Sequence, residues 1–298
     1  MQREKFRTVV GIKRVAGLRS MLVCALLILA NSYQDLSWAD APKRVVSANL
    51  CADQLLLALA DPAQIVSLSP FAGDPQMSFM AEAAKAFPAN RGAGEALIVL
   101  QADLVLVGPY DNRYTRDLLA ARKTEFVVLA PWDSIAGGIM QIRYLAARLG
   151  QSAKGERLIA DIEQSLEMIR DIAANIPGSP NSLVLHRRGY VFHAGVTGEI
   201  LALAGLHDAA PELGVKGGGF VPLERLLVGR PDFLIVAGDA ADAEDQGEAI
   251  LLHPALLNFF PLERRLVVPD VLTLCGGPST PVLAERIAAE IRRKVLGH

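Results

Sequence analysis

Several residue types and patterns that would announce a chemistry are scarce or absent. Cysteine occurs three times, never in the Cys-x-x-Cys spacing of zinc sites and dithiol oxidoreductases. Histidine occurs five times, without a His-rich tract that could gather metal ions. There is no His-Glu-x-x-His, no Gly-x-Ser-x-Gly elbow and no complete dinucleotide fingerprint after a strand. The common hydrolase and dehydrogenase classes lose their signatures. Charge of one sign is lacking too, with 30 Lys and Arg against 32 Asp and Glu, which leaves no electrostatic footprint for nucleic acid or an anionic membrane. Long apolar runs are missing. The run from Met21 to Ala30 falls well short of the roughly 20 residues a membrane span needs.

That short run lies in a recognisable setting. Arg3, Lys5, Arg7, Lys13, Arg14 and Arg19 precede or border it, and Ser37-Trp38-Ala39 follows. Residues 1–39 therefore read as a signal peptide cleaved after Ala39, since a cut after Ala41 would leave Pro42 at the new N-terminus. The absence of paired arginines before the run favours the general secretory route. Cys24 leaves with this segment. The mature chain keeps 24 basic and 30 acidic residues and two cysteines, Cys51 and Cys275, in a compartment where thiols can be oxidised.

The remainder alternates short β-branched runs with helical patterns, the signature of parallel sheets covered by helices. Residues 40–133 read as one α/β lobe, with strands at Arg44–Ala48, Gln64–Leu68, Leu104–Gly108 and Phe126–Ala130. Its helical stretches are Asp53–Ala60, Met77–Ala86 and Arg113–Arg122. Residues 134–180 form a helical connection: a helix over Ser134–Leu149, then an uninterrupted pattern over Ser152–Ala174 with Leu158, Ile162, Leu166, Ile169 and Ile172 at helical spacing. The breakers Pro177-Gly178-Ser179-Pro180-Asn181 end it. Residues 181–298 read as a second α/β lobe with strands at Leu183–His186, Tyr190–His193, Asp232–Ala237 and Arg265–Val268, closed by a helix over Thr280–Leu296. The two halves share a gapless segment: Glu95 to Val107 lines up with Glu224 to Val236, pairing Glu95 with Glu224 and Asp103 with Asp232.

Arg44-Val-Val-Ser-Ala-Asn-Leu-Cys-Ala-Asp-Gln, Ile65-Val-Ser-Leu-Ser, Ala102-Asp-Leu-Val-Leu-Val-Gly, the long helix and Arg230-Pro-Asp-Phe-Leu-Ile-Val follow one another in a telling order. In them the whole mature chain resembles the class III periplasmic binding proteins of ABC importers, the ferric siderophore and vitamin B12 (cobalamin) family. The resemblance implies two Rossmann-like lobes joined by one long rigid helix, with the ligand in the cleft between them. It implies a monomeric, non-enzymatic carrier without a resident cofactor. Its partners would be an ABC permease and its ATPase at the inner membrane, and its cargo an iron-siderophore or cobalamin-type metal chelate. Haem and free zinc or manganese stay open as cargo, and an exported enzyme is the reading from another class. By position in the motif, Glu95 and Glu224 would meet arginines on the permease; a carboxylate in a helix's first turn is also favoured by the helix dipole alone.

In open parallel sheets ligands bind beyond the carboxyl ends of the strands. That rule selects Asn49, Leu50, Cys51, Phe71, Tyr110 and Trp132 in the first lobe, and Arg187, Arg188, the loop Gly217–Phe220 (with Gly219 and Phe220) and Leu274–Gly277 (with Cys275) in the second. Tyr110 and Trp132 offer flat contact area for a bulky ligand, or else pack between lobes. Arg187 suits a carboxylate or catecholate, or else is an exposed loop residue. Cys51 and Cys275 follow strands in opposite lobes. They are disulfide partners, free buried thiols or parts of the site. His186, His193, His207 and His253 all fall in the second lobe, which argues against a bare-metal site drawing ligands from both.

Overall fold

The computed structural model describes residues 41–186, 189–192, 195–237 and 249–297. The first lobe is built from β1 (Val45–Ser47), α1 (Leu50–Leu59), β2 (Ile65–Ser67), α2 (Ala81–Ala84), α3 (Gly94–Val99), β3 (Leu104–Val107), α4 (Arg113–Ala121) and β4 (Glu125–Val128). Its four strands are all parallel, in the order β2-β1-β3-β4. Every residue of β3 is fully buried, as an apolar run covered on both faces must be.

Two helices follow, α5 (Ile135–Arg148) and α6 (Ser152–Ala173). At 22 residues, α6 is about 33 Å long. It packs on α1 and α5 at one end. At the other it packs on α7 (Val196–Leu203) and the last helix of the chain. Its buried stripe, Ile159, Ile162, Leu166, Ile169 and Ile172, keeps helical spacing and sits in one continuous apolar core with residues of both lobes, from Val45 and Leu55 to Ile235 and Leu283.

The second lobe holds β5 (Asn181–Leu185), β6 (Tyr190–Phe192), α7, β7 (His207–Asp208), β8 (Gly218–Phe220), α8 (Leu223–Gly229), β9 (Phe233–Val236), α9 (Pro254–Phe259), β10 (Arg265–Val267), α10 (Asp270–Thr273) and α11 (Thr280–Ile291). Strands β10, β9 and β5 are parallel, whereas β6 folds back antiparallel on β5 and pairs antiparallel with β8. Alternate residues divide the cores: Ile235 and Leu266 face the shared core, and Leu234, Val236 and Val267 face a separate core of the second lobe. In the first lobe Leu104 and Leu106 face the shared core and Val105 and Val107 an outer one.

The shared segment folds alike in both lobes. Asp103 Oδ2 accepts from the amides of Lys43 and Arg44, and Asp232 Oδ2 from the amide of Asn181, so each fastens the start of its lobe's central strand. Gln101 and Arg230, at matching positions, are both left-handed, with φ of 49° and 43°. Leu97 and Leu226, also matching, are buried.

Two local expectations are corrected. The helix expected over Met77–Ala86 is only Ala81–Ala84, because the Asp74 carbonyl accepts from Met77 and Ser78 and its side chain accepts from Gln76, a turn that competes with helix. The glycine loop at 217–220 is partly the edge strand β8, held by pairing with β6 (Val191 opposite Gly219). The expected signal peptide, Arg187, Arg188 and His193 lie outside the described residues.

Candidate ligand cleft

The strand order puts the loop ends of the first lobe in a row: Phe71 after β2, Asn49 after β1, Tyr110 after β3 and Trp132 after β4. The row is braced from below. Asn49 caps α1 by accepting from the amides of Cys51 and Ala52, and its Nδ2 lies 3.4 Å from Asp111 Oδ1. Asp111 Oδ2 accepts from the amide of Gly108 at 2.6 Å, and a Cβ at Gly108 would lie 2.6 Å from Asn49 Nδ2, so any larger residue there would displace the Asn49 amide. Beneath, fully buried Asp53 accepts from the amide and hydroxyl of Ser69. Burial pushes its carboxyl up to about 6; hydrogen bonds from Ser47 and Ser69 oppose the rise and Asp111 adds to it.

A pocket of about 160 Å³ lies between the lobes. Cys51, Leu55, Trp132 and Gln141 line it from the first lobe and its following helix, and His186, Gly195–Gly198 and Leu272–Gly276 from the second. Typical small-molecule pockets hold roughly 300–1,000 Å³, so this one is too small to enclose a whole ligand of that size.

Trp132 forms one wall. Its indole is clamped between Gly138 of α5 and Gly276 of the second lobe, where added Cβ atoms would stand 2.1 and 2.3 Å from the ring. Its Nε1 donates to Gln141 Oε1 at 3.1 Å, and Gln141 Nε2 donates to the Ala130 carbonyl at 3.0 Å. The residue thus serves both as interlobe packing and as cleft wall. Beside it Cys51 and Cys275 are joined in a disulfide with Cα atoms 5.2 Å apart. At Gly277, φ is +110° and a Cβ would meet Leu55 at 2.9 Å, so this glycine pair presses second-lobe backbone onto the first.

Opposite stands a pair that the strand-end rule passed over. His186, at the end of β5, lines the cleft, and its Nδ1 lies 3.3 Å from Asp270 Oδ1 just beyond β10. Their partnership spans 84 residues and leaves no local signal. Asp270 does occupy a strand end, which is the mark that could have found it. Of the other described histidines, His207 pairs with Glu212 at 3.2 Å and His253 caps α9. Among the described residues no group of three or more His, Cys, Asp and Glu is placed to hold a metal ion.

The structure thus gathers Cys51, Trp132 and Cys275 at the pocket. Asn49 is a helix cap, and Leu50 opens α1 half-buried beside it. Phe71 and Tyr110 stand outside the enclosed space, 50% and 89% exposed. Gly219 and Phe220 belong to β8, where Phe220 packs edge-on against Tyr190 at 5.2 Å. Glu95 and Glu224 are exposed in the first turns of α3 and α8.

Two α/β lobes, a helix bridging both and a cleft at the strand ends define a two-lobe ligand-binding protein. The family model for periplasmic binding proteins matches residues 45–260, and the chain belongs to that family. Its members are periplasmic, bind small ligands and work with ABC transporters. Among solved structures, the chain is similar to the apo periplasmic haem-binding protein RhuT from Roseiflexus sp. RS-1, at 25% identity over 85% of this chain and 99% of that one, TM-score 0.69. It is also similar to a periplasmic haem-binding protein from Pseudomonas aeruginosa, at 20% identity over 86% and 94%, TM-score 0.68. The periplasmic vitamin B12-binding protein BtuF of Vibrio cholerae follows at 16% identity over 85% and 98%, TM-score 0.64. No curated protein sequence matches the chain.

Proposed function

We propose that the chain, exported and cleaved after Ala39, is the substrate-binding component of an ABC importer whose cargo is a bulky metal chelate with an open axial position, a haem-type iron chelate foremost. The observation that carries this is His186. With Nδ1 against a carboxylate, the ring is oriented and Nε2 is its remaining donor atom, the usual arrangement of a metal-binding imidazole. A hexadentate ferric siderophore offers no axial site to such a donor. Cobalamin offers one only when one of its two axial ligands leaves, and it remains the second reading. RhuT, 25% identical, is a haem-binding protein, which supports the first.

Trp132 supplies a flat apolar wall, and Phe71 and Tyr110, exposed at neighbouring strand ends, are the aromatic side chains that the part of a macrocycle outside the pocket would meet. Arg187, which follows His186, suits a propionate. The core running continuously between lobes opposes wide hinge opening, so capture involves a small change in lobe angle, and release follows docking on the permease through Glu95 and Glu224. The protein binds and delivers without turnover.

The test is spectroscopic titration of the mature protein with hemin, cyanocobalamin and ferric catecholate and hydroxamate chelates. A saturating Soret shift with hemin that the His186→Ala variant loses supports the reading. Saturable binding of a siderophore alone would overturn it.

A further inference from the structure

We propose that Val99 and Val228 are the apolar halves of two matched docking points, each a glutamate with a valine one helical turn on. The inference rests on the reading of Glu95 and Glu224 as permease contacts and adds the second component of each. Val99 follows Glu95 by four residues on α3, and Val228 follows Glu224 by four on α8, so each pair shares one helix face. The valines are 79% and 83% exposed; among the large hydrophobic side chains found exposed in the described residues, only Tyr110 is more so.

A single exposed valine needs no explanation. Here the same residue is left bare at the same place in both lobes, although neighbouring positions other than the buried Leu97 and Leu226 have diverged: Ala96 corresponds to Arg225, Ile98 to Leu227 and Leu100 to Gly229. Folding does not call for it, because Leu97 and Leu226 already anchor the two helices in their cores. An exposed β-branched residue is a poor helix former as well.

The partner this surface fits is a protein offering, twice, a cationic side chain beside an apolar patch. Two copies of this chain meeting through these faces would set glutamate against glutamate. An anionic lipid surface would repel both. A permease built from two equivalent halves satisfies both pairs at once.

The experiment places a photoreactive benzoylphenylalanine at Val99, Val228, Glu95 or Glu224 of the full chain in its native cells, with adducts identified by mass spectrometry. Adducts from all four positions to the same ABC permease are expected. The Val99→Ser/Val228→Ser double variant is expected to need roughly a hundredfold more protein for hemin uptake, about tenfold per valine, with unchanged hemin affinity in solution. Permease adducts from the glutamate positions alone, with uptake intact in the serine variant, would sink the valine inference and leave the docking reading standing. Adducts to a second copy of the chain, or none from any position, would overturn both.

Discussion

The two lobes repeat one unit and put it to different use. In each, an aspartate (Asp103, Asp232) fastens the central strand and a left-handed residue (Gln101, Arg230) turns the chain into the next one. The first lobe keeps a purely parallel sheet and lines its strand ends with an aromatic row. The second inserts the antiparallel β5–β6 hairpin, which sets His186 at the cleft opposite Trp132. In the proposed function, one lobe supplies shape and the other supplies a donor atom. Their buried carboxylates differ as well. Asp53 takes hydrogen bonds only from neutral serines, and burial raises it, with the Asp111 carboxylate adding to the rise. Burial works against the charge of Glu290 too, but the Val267 amide, Arg293 and Lys294 outweigh it and hold the carboxyl below its ordinary value.

The comparison can be broken most forcefully at the bond joining the lobes. Reducing the disulfide, or the Cys51→Ser/Cys275→Ser variant, is expected to cost about 4 kcal/mol for so long a closed loop, read as a lower denaturation midpoint. A midpoint indifferent to reductant would show that the bridge restrains nothing.

Next come the two carboxylates. Asp53 binds its proton more tightly in the folded state, so its contribution to stability improves as pH falls through about 6 toward 3.8, a gain of about 3 kcal/mol. Glu290 runs the other way: its contribution is present above the unfolded value of 4.5 and is lost as pH falls through its lowered folded value. Denaturation of Asp53→Asn between pH 4 and 7 should lack the acid-side gain, while Glu290→Gln should be weakened by about 2 kcal/mol at pH 7 and by progressively less as pH falls below 4.5. Parallel pH profiles for the two variants would contradict the contrast.

Smaller effects are expected at the indole clamp. Gly138→Ala and Gly276→Ala each push a methyl into Trp132 and should cost about 1–3 kcal/mol, with matching losses of tryptophan quenching by hemin. The smallest concern the shared turn. Gln101→Gly should stabilise by under about 1 kcal/mol, while Arg230→Gly should gain less, since it forfeits the guanidinium's contact 4.9 Å over the Phe259 ring.

What could be read from residues alone was what repeats locally. Strands with β-branched runs such as Leu104–Val107 and the stripe of α6 carry their period in the sequence and emerge nearly at their expected bounds. Strand β8 carries none, since glycine has little strand preference and its pairing comes from β6. The strand-end rule found Cys51, Trp132 and Cys275 because it depends only on topology. It could not supply the partnership of His186 with Asp270, or the role of Gly138 and Gly276 on either side of one ring, because each needs residues far apart in the chain to meet.

The bond between Cys51 and Cys275 closes 224 residues of separation into a covalent ring. The lobes are therefore linked twice, once through the polypeptide at α6 and once through sulfur at the cleft. A protease that nicks any one connection between those cysteines leaves a single molecule, with new chain ends but no free lobe. Relocating the chain's termini into that ring is then a permutation that the bond already tolerates in principle: both lobes stay tethered beside the ligand wherever the backbone is cut.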